Sequence, residues 1–219
     1  MNGRIHLCIV ARQLTCACVL GAALDAGQAA GSLAAPLAAS TRSAAELVDV
    51  VMWNREPIGG PFALTDTQNR LRRDSEFRGR VMLVYFGFTS CPGVCPTDLL
   101  EIGQALRRLG PSASQVAPLF ITLDPERDTR QLLKAYLPAF HPQLIGLTGT
   151  PTDIDRVAES FKVYHANVPV EGALGYTIDH SAYIYIVDRD GRYAGFLPPG
   201  SSAERIAAVL QALLAAAPR

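Results

Sequence analysis

An α/β fold, with a central mixed sheet flanked by helices, is predicted by three features of the chain. From Val81 onward, short β-rich apolar runs alternate with stretches of helical periodicity, the pattern of a parallel-rich sheet with crossover helices. Near the end, the apolar runs 182–187 and 192–196 flank Asp188-Arg-Asp-Gly191, a turn that adds an antiparallel pair. Between the first strand of the alternation and its helix stands Cys91-Pro-Gly-Val-Cys95, and open α/β sheets place their chemistry at that junction.

Residues 25–42 are rich in Ala, Gly and Ser, show little periodicity and read as a tether. Ala44, Leu47, Val48, Val51 and Met52 recur at helical spacing, which predicts a short amphipathic helix over 43–54. Pro57-Ile-Gly-Gly-Pro61 is punctuation, and residues 62–72, turning at 66–69, read as an N-terminal hairpin. The alternation then predicts strand 81–88, helix 96–109, strand 117–123, helix 129–140, strand 144–147 and helix 152–161. Start signals support the helices: Asp128 before Thr129, Thr150 before Pro151, and Ser201 or Ser202 with Glu204 before the final helix, 202–215. Residues 163–178 read as an inserted hairpin ahead of the terminal strand pair. The layout is thioredoxin-like, with an N-terminal hairpin and an inserted hairpin. It divides into a signal peptide or anchor (1–30), a tether and short helix (31–54) and one thioredoxin-like domain (55–219).

Twenty basic and twenty acidic side chains cancel, so nothing in the charge points to a nucleic-acid partner. The N-terminus points instead to export. Arg4, His6 and Arg12 precede an apolar stretch, 14–24, and a small-residue tract follows, the three parts of a secretory signal peptide. An uncleaved inner-membrane anchor is the alternative, at a cost of about 2.5–3.5 kcal/mol for Arg12 in its middle. Of the five cysteines, cleavage near residue 29 removes Cys8, Cys16 and Cys18 and leaves Cys91 and Cys95. A single pair with no odd thiol suits an oxidising compartment, the periplasm.

Spacing at i and i+4 places both sulfurs on one side of a helical first turn, where the helix start favours thiolate. Three functions compete for them. A thioredoxin-type oxidoreductase normally has two residues between its cysteines and a cis-proline facing them; here there are three, and the facing position holds His180 in Thr177-Ile-Asp-His180-Ser. Cys95-Pro-Thr-Asp98 resembles a peroxiredoxin motif, but Pro92 stands where that family has its peroxide-positioning threonine. Two thiolates and an imidazole suit a third function, holding soft Cu(I), with Cu(II) wanting a further oxygen or nitrogen donor. Zinc sites usually have four ligands, and no further cysteine or second histidine is evident nearby. Copper is the favoured metal. A plain structural disulfide is the bland alternative, opposed by the flanking prolines and the strand-to-helix position.

The pattern as a whole resembles the Sco/SenC family of copper chaperones. The resemblance rests on Ile58-Gly-Gly-Pro-Phe62, Cys91-Pro-Gly-Val-Cys95-Pro with its preceding strand, Ile121-Thr-Leu-Asp-Pro-Glu-Arg-Asp-Thr129, Ile145-Gly-Leu-Thr-Gly149 and Asp179-His180-Ser181, in order, over about residues 56–214. It implies a thioredoxin fold and one copper held by Cys91, Cys95 and His180. It also implies delivery of copper, or of reducing equivalents, to the dinuclear copper centre of cytochrome c oxidase subunit II. Either role in an oxidising compartment requires a periplasmic thiol reductant, because an oxidised pair cannot bind copper. Around these residues, Met82, Tyr85, Phe86 and Phe88 read as core, and His141 and His165 as solvated. The run Asp124 to Asp128 reads either as a self-paired charged loop or as a loop beside the site that meets the partner or tunes the cysteines. The hairpin 163–178, with Tyr164 and Tyr176, is expected to gate the distance from His180 to the thiols.

Overall fold

The computed structural model describes residues 57–172 and 175–216. The expected leader, tether and short helix fall outside the described residues. Among the described residues, nine strands and four α-helices follow one another: β1 Ala63–Asp66, β2 Leu71–Arg73, β3 Val81–Gly87, α1 Val94–Leu109, β4 Val116–Thr122, α2 Arg130–Tyr136, β5 Ile145–Thr148, α3 Pro151–Ser160, β6 His165–Pro169, β7 Tyr176–His180, β8 Ile184–Val187, β9 Tyr193–Leu197 and α4 Ala203–Ala215. Seven strands form one sheet in the order β2-β1-β5-β4-β3-β8-β9, while β6 and β7 form a separate pair.

The expected mixed α/β sheet is present. Strands β3, β4 and β5 are parallel, joined by crossovers through α1 and α2, and β8 and β9 extend the sheet antiparallel beyond β3. Every residue of β3 and β4 is buried, which explains why they read as unbroken apolar runs: helices cover both faces. Tyr85 points toward α1, and Phe86 points the other way to stack against Phe161 at the end of α3, 5.4 Å between centroids. Each such side chain withdrawn from water contributes about 1.5–3 kcal/mol. Helix α1 packs on α4, and the end of its approach to Phe140 is tight: a Cβ on Gly103 would stand 2.4 Å from the Phe140 carbonyl oxygen.

The expected N-terminal hairpin is present, and it also joins the main sheet, β1 pairing with β5 through Thr65↔Thr148 and Asp66↔Leu147. Buried Leu64 commits its inner face to the core. The helix expected over 129–140 ends at Tyr136 and passes into a short 3-10 turn, Leu137–Ala139, because Pro138 cannot donate the next helical hydrogen bond. The inserted hairpin runs two residues further than expected, so His180 is the last residue of β7 itself, and β8 begins only at Ile184.

Candidate metal centre

Gly87 ends β3, and the chain turns through Phe88, Thr89 and Ser90 into the cysteine segment. That turn is tied down by Asp128, which is fully buried and accepts hydrogen bonds from the Thr89 amide (3.0 Å), the Thr89 hydroxyl and the Thr122 hydroxyl (2.7 Å). Burial holds the Asp128 carboxyl above its usual range. Helix α1 starts two residues earlier than its sequence suggests, at Val94. Pro96 is accommodated because a first-turn N–H has no intrahelical partner to lose.

This start changes the relation of the two thiols. They do not share one helical turn: Cys95 lies inside α1, whereas Cys91 precedes it. The N-cap residue, Gly93, offers no side chain for capping, and Cys91 Sγ accepts the amide N–H of Cys95 at 3.4 Å instead. Sulfur thus occupies the place of a capping oxygen at the positive end of the helix. Cys95 is fully buried and Cys91 half-buried, and both are free thiols.

His180 arrives from β7. Its Nε2 lies 3.5 Å from Cys95 Sγ, and its ring stands edge-on to Phe88 at 5.8 Å. One ligand atom from each of Cys91, Cys95 and His180 falls within 4.8 Å of the others, close enough to hold one metal ion. The other ring nitrogen, Nδ1, is buried and finds no hydrogen-bond partner among the described residues. A buried polar atom in that condition is costly unless the ring is engaged elsewhere. Donor set and burial both fit a soft monovalent or borderline ion.

The two thiols are electrostatically unequal. A hydrogen bond from Cys95 is the main influence lowering Cys91, opposed by burial and assisted by His180 and the amides of Gly93 and Cys95; together they bring it down to about 4. Cys95 moves up, first because it gives that hydrogen bond to Cys91 and then because it is buried. The resting pair is therefore a Cys91 thiolate beside a Cys95 thiol. An ordinary thiol near 8.5 loses about 75-fold in alkylation rate between pH 8 and pH 6, because only the thiolate reacts. Cys91, with its thiol depressed, should react with iodoacetamide at nearly constant rate over that range, measured by mass spectrometry of its peptide.

Gly87 makes room for this arrangement. A Cβ at that position would lie 3.0 Å from Cys95 Sγ and 3.2 Å from both Tyr85 and Phe120. Gly87→Ala is expected to cost about 1–3 kcal/mol of stability by overpacking, read from the urea midpoint. It should also displace the Cys95 sulfur.

Some participants escaped the sequence reading. Tyr85, expected only as core, donates its hydroxyl to Asp98 Oδ2 at 3.1 Å, and Asp98 Oδ1 accepts the Gly200 amide at 2.8 Å. Burial raises the Asp98 carboxyl, and this polar pair lies against the buried side of Cys95. The available signal was a tyrosine in an otherwise apolar strand and an acid in an apolar helix face. His141 and His165 stand outside the three-residue cluster, as expected of non-ligands, but neither is fully solvated. His141 Nδ1 accepts the Gln143 amide, and His165 lies 3.4 Å from Asp155. Met82 is core.

The SCO1/SenC family profile matches residues 51–215, three quarters of the chain. The chain belongs to the SCO1/SenC family. Among its relatives, a SCO2-like protein of Rickettsia prowazekii is 44% identical over 137 residues, covering 62% of this chain and 67% of that one. The mitochondrial SCO2 homolog of Bos taurus is 42% identical over 149 residues, covering 67% of this chain but only 56% of its own length. Two solved structures, both with copper bound, share the fold. Bradyrhizobium japonicum ScoI superimposes with TM-score 0.67 at 44% identity, covering 71% of this chain and 99% of that one. Yeast Sco1 does so with TM-score 0.68 at 32% identity, covering 74% and 92%. The thioredoxin-like fold and the family resemblance are thus borne out in this SCO1/SenC chain. No helix among the described residues is long and apolar enough to cross a membrane.

Proposed function

We propose that this SCO1/SenC protein is a copper chaperone rather than an enzyme. It takes up one copper ion through Cys91, Cys95 and His180 and passes it to the dinuclear copper site of cytochrome c oxidase subunit II or of another copper enzyme. The observation that carries the reading is the convergence of two free thiols and one imidazole at the end of a fully buried strand. Copper bound in the ScoI and Sco1 relatives supports it.

The residues divide the work. Cys95, buried, is the fixed donor, and Cys91, half-exposed and already thiolate, is the donor an incoming partner can reach. His180 stands on a strand pair separate from β3 and α1 and can withdraw without moving the elements that carry the thiols. Cu(I) tolerates two or three soft ligands, so an entering thiolate can replace one donor at a time and the ion is never released to water. Loading requires both thiols reduced, hence a thiol reductant in the compartment. We place that compartment in the periplasm, with residues 1–30 as the export signal or inner-membrane anchor, residues 31–54 as the tether and 55–219 as the copper domain.

A second reading rests on the inequality of the thiols. An accessible thiolate backed by a buried thiol is the arrangement of a disulfide reductase. Cys91 would attack a partner's disulfide, and Cys95 would then resolve the mixed disulfide. The partner's two thiols leave reduced, and a Cys91–Cys95 disulfide remains for the reductant. Metal titration of the reduced chain separates the readings: uptake of one Cu(I) supports the chaperone, and no uptake leaves the reductase.

A further inference from the structure

The hairpin that carries His180 shares no strand pairing with the main sheet; β6 and β7 pair with each other alone. A two-stranded hairpin is marginal by itself, so side-chain contacts must set where His180 stands above the thiols. Ile178 is buried in the core midway along β7, and a polar cluster of contacts lies at the strand's far end. Tyr176, the first residue of the strand, donates its hydroxyl to Asp124 Oδ1 at 2.8 Å, and its carbonyl accepts from Arg127 Nη1 at 2.8 Å. The Arg127 guanidinium lies over the Tyr176 ring, 3.7 Å from its centroid, and Arg127 Nε donates to Asp124 Oδ2. Asp124 is itself buried and fixed, its amide bound to the Thr122 hydroxyl at 2.9 Å and its carbonyl to the Asp128 amide at 2.8 Å. The next contact belongs to the same loop: Asp128 holds Thr89, two residues before Cys91. One five-residue loop therefore grips the cysteine segment and the histidine strand together.

We propose that Asp124, Arg127 and Tyr176 are positioning residues that set His180 against Cys91 and Cys95. The proposal rests on the copper reading above. Four residue steps of extended strand lead from Tyr176 to His180, roughly 13 Å, so a shift at the clasp is carried along β7 to the imidazole. The clasp mixes a buried carboxylate, a cation over an aromatic face and two charge-assisted hydrogen bonds, an arrangement that only one placement of β7 satisfies. It also gives the expected gating of the hairpin a physical hinge point: release of Tyr176 frees the strand while the thiols stay in place.

The test is a double-mutant cycle in the full chain with Cys8, Cys16 and Cys18 changed to serine, using copper alone as the probe. Tyr176→Ala should still take up one Cu(I), bind Cu(II) about tenfold more weakly and lose part of the nitrogen hyperfine signal of the Cu(II) spectrum. Its loss of Cu(I) affinity, no larger than the roughly tenfold expected of His180→Ala itself, should vanish, to within about twofold, once His180→Ala is present. Tyr176→Phe, which keeps the ring under Arg127 but loses the hydroxyl, should fall between. If thermal melting shows Tyr176→Ala unfolded, Tyr176→Phe and Arg127→Lys carry the same cycle. Equal losses with and without His180, or a Cu(II) spectrum unchanged in all three variants, overturns the positioning role alone. A parent chain that takes up no copper overturns the chaperone reading, and the positioning role with it.

Discussion

Cys91→Ser and Cys95→Ser are each expected to abolish tight Cu(I) binding, with a loss larger than the roughly 100-fold typical of removing a supporting outer-shell group. The reason is the donor chemistry. A serine hydroxyl is hard, stays protonated near neutrality and cannot replace a soft thiolate, so one thiolate and an imidazole are left to hold the ion. The two variants should differ in their other effects. Cys95 is fully buried against the Tyr85–Asp98 pair, so serine there also places a new hydroxyl in the core and is expected to cost about 1–3 kcal/mol of stability. Cys91 is half-exposed, so its replacement should leave the fold's urea midpoint close to that of the parent while removing the sulfur cap of α1. Competition with a chromophoric Cu(I) chelator reads the affinity, and a denaturation curve on each variant separates lost binding from lost folding.

His180→Ala should discriminate between the oxidation states. Two thiolates alone satisfy Cu(I), so its affinity falls only about tenfold, or 1.4 kcal/mol. Cu(II) prefers more donors and nitrogen or oxygen among them, so its binding is lost at concentrations that saturate the parent. Electron paramagnetic resonance should lose the nitrogen hyperfine structure contributed by the ring. The fold should survive, because the imidazole's main packing contact is the edge-on meeting with Phe88 and its Nδ1 makes no hydrogen bond among the described residues. Equal losses for both ions would mean that His180 supports the fold of the site rather than joining it.

Much of this architecture was legible because it follows from local periodicity. The unbroken apolar runs of β3 and β4, the capped start of α3 at Thr150 and the Asp188 turn between β8 and β9 are short-range signals. Pro138 carries an equally local signal, because a residue that lacks an N–H ends the α-helix even where apolar spacing continues. The hairpin β1–β2 joining the sheet was not legible, since its pairing with β5 lies some eighty residues away and turns on which face of Leu64 is buried.

At the site, Cys91, Cys95 and His180 were named from residue type and order, and the structure brings them together. What periodicity could not supply was that Cys91 lies outside the helix, because a sulfur acting as cap has no sequence signature. Of the two readings of the run Asp124 to Asp128, the structure shows the self-pairing of the one and the place beside the cysteine segment of the other. Arg127 pairs within the run to Asp124, while Asp128 reaches Thr89 beside the cysteines. Exposed Glu126 takes neither part in these bonds. Which acid points inward depends on the turn after β4, a property of the folded chain.

The most telling measurement is titration of the fully reduced chain, with Cys8, Cys16 and Cys18 changed to serine, with Cu(I) under exclusion of oxygen, followed by X-ray absorption at the copper edge. The expected result is one copper per chain with sulfur and nitrogen neighbours. A reduced, folded chain that holds no copper contradicts the account.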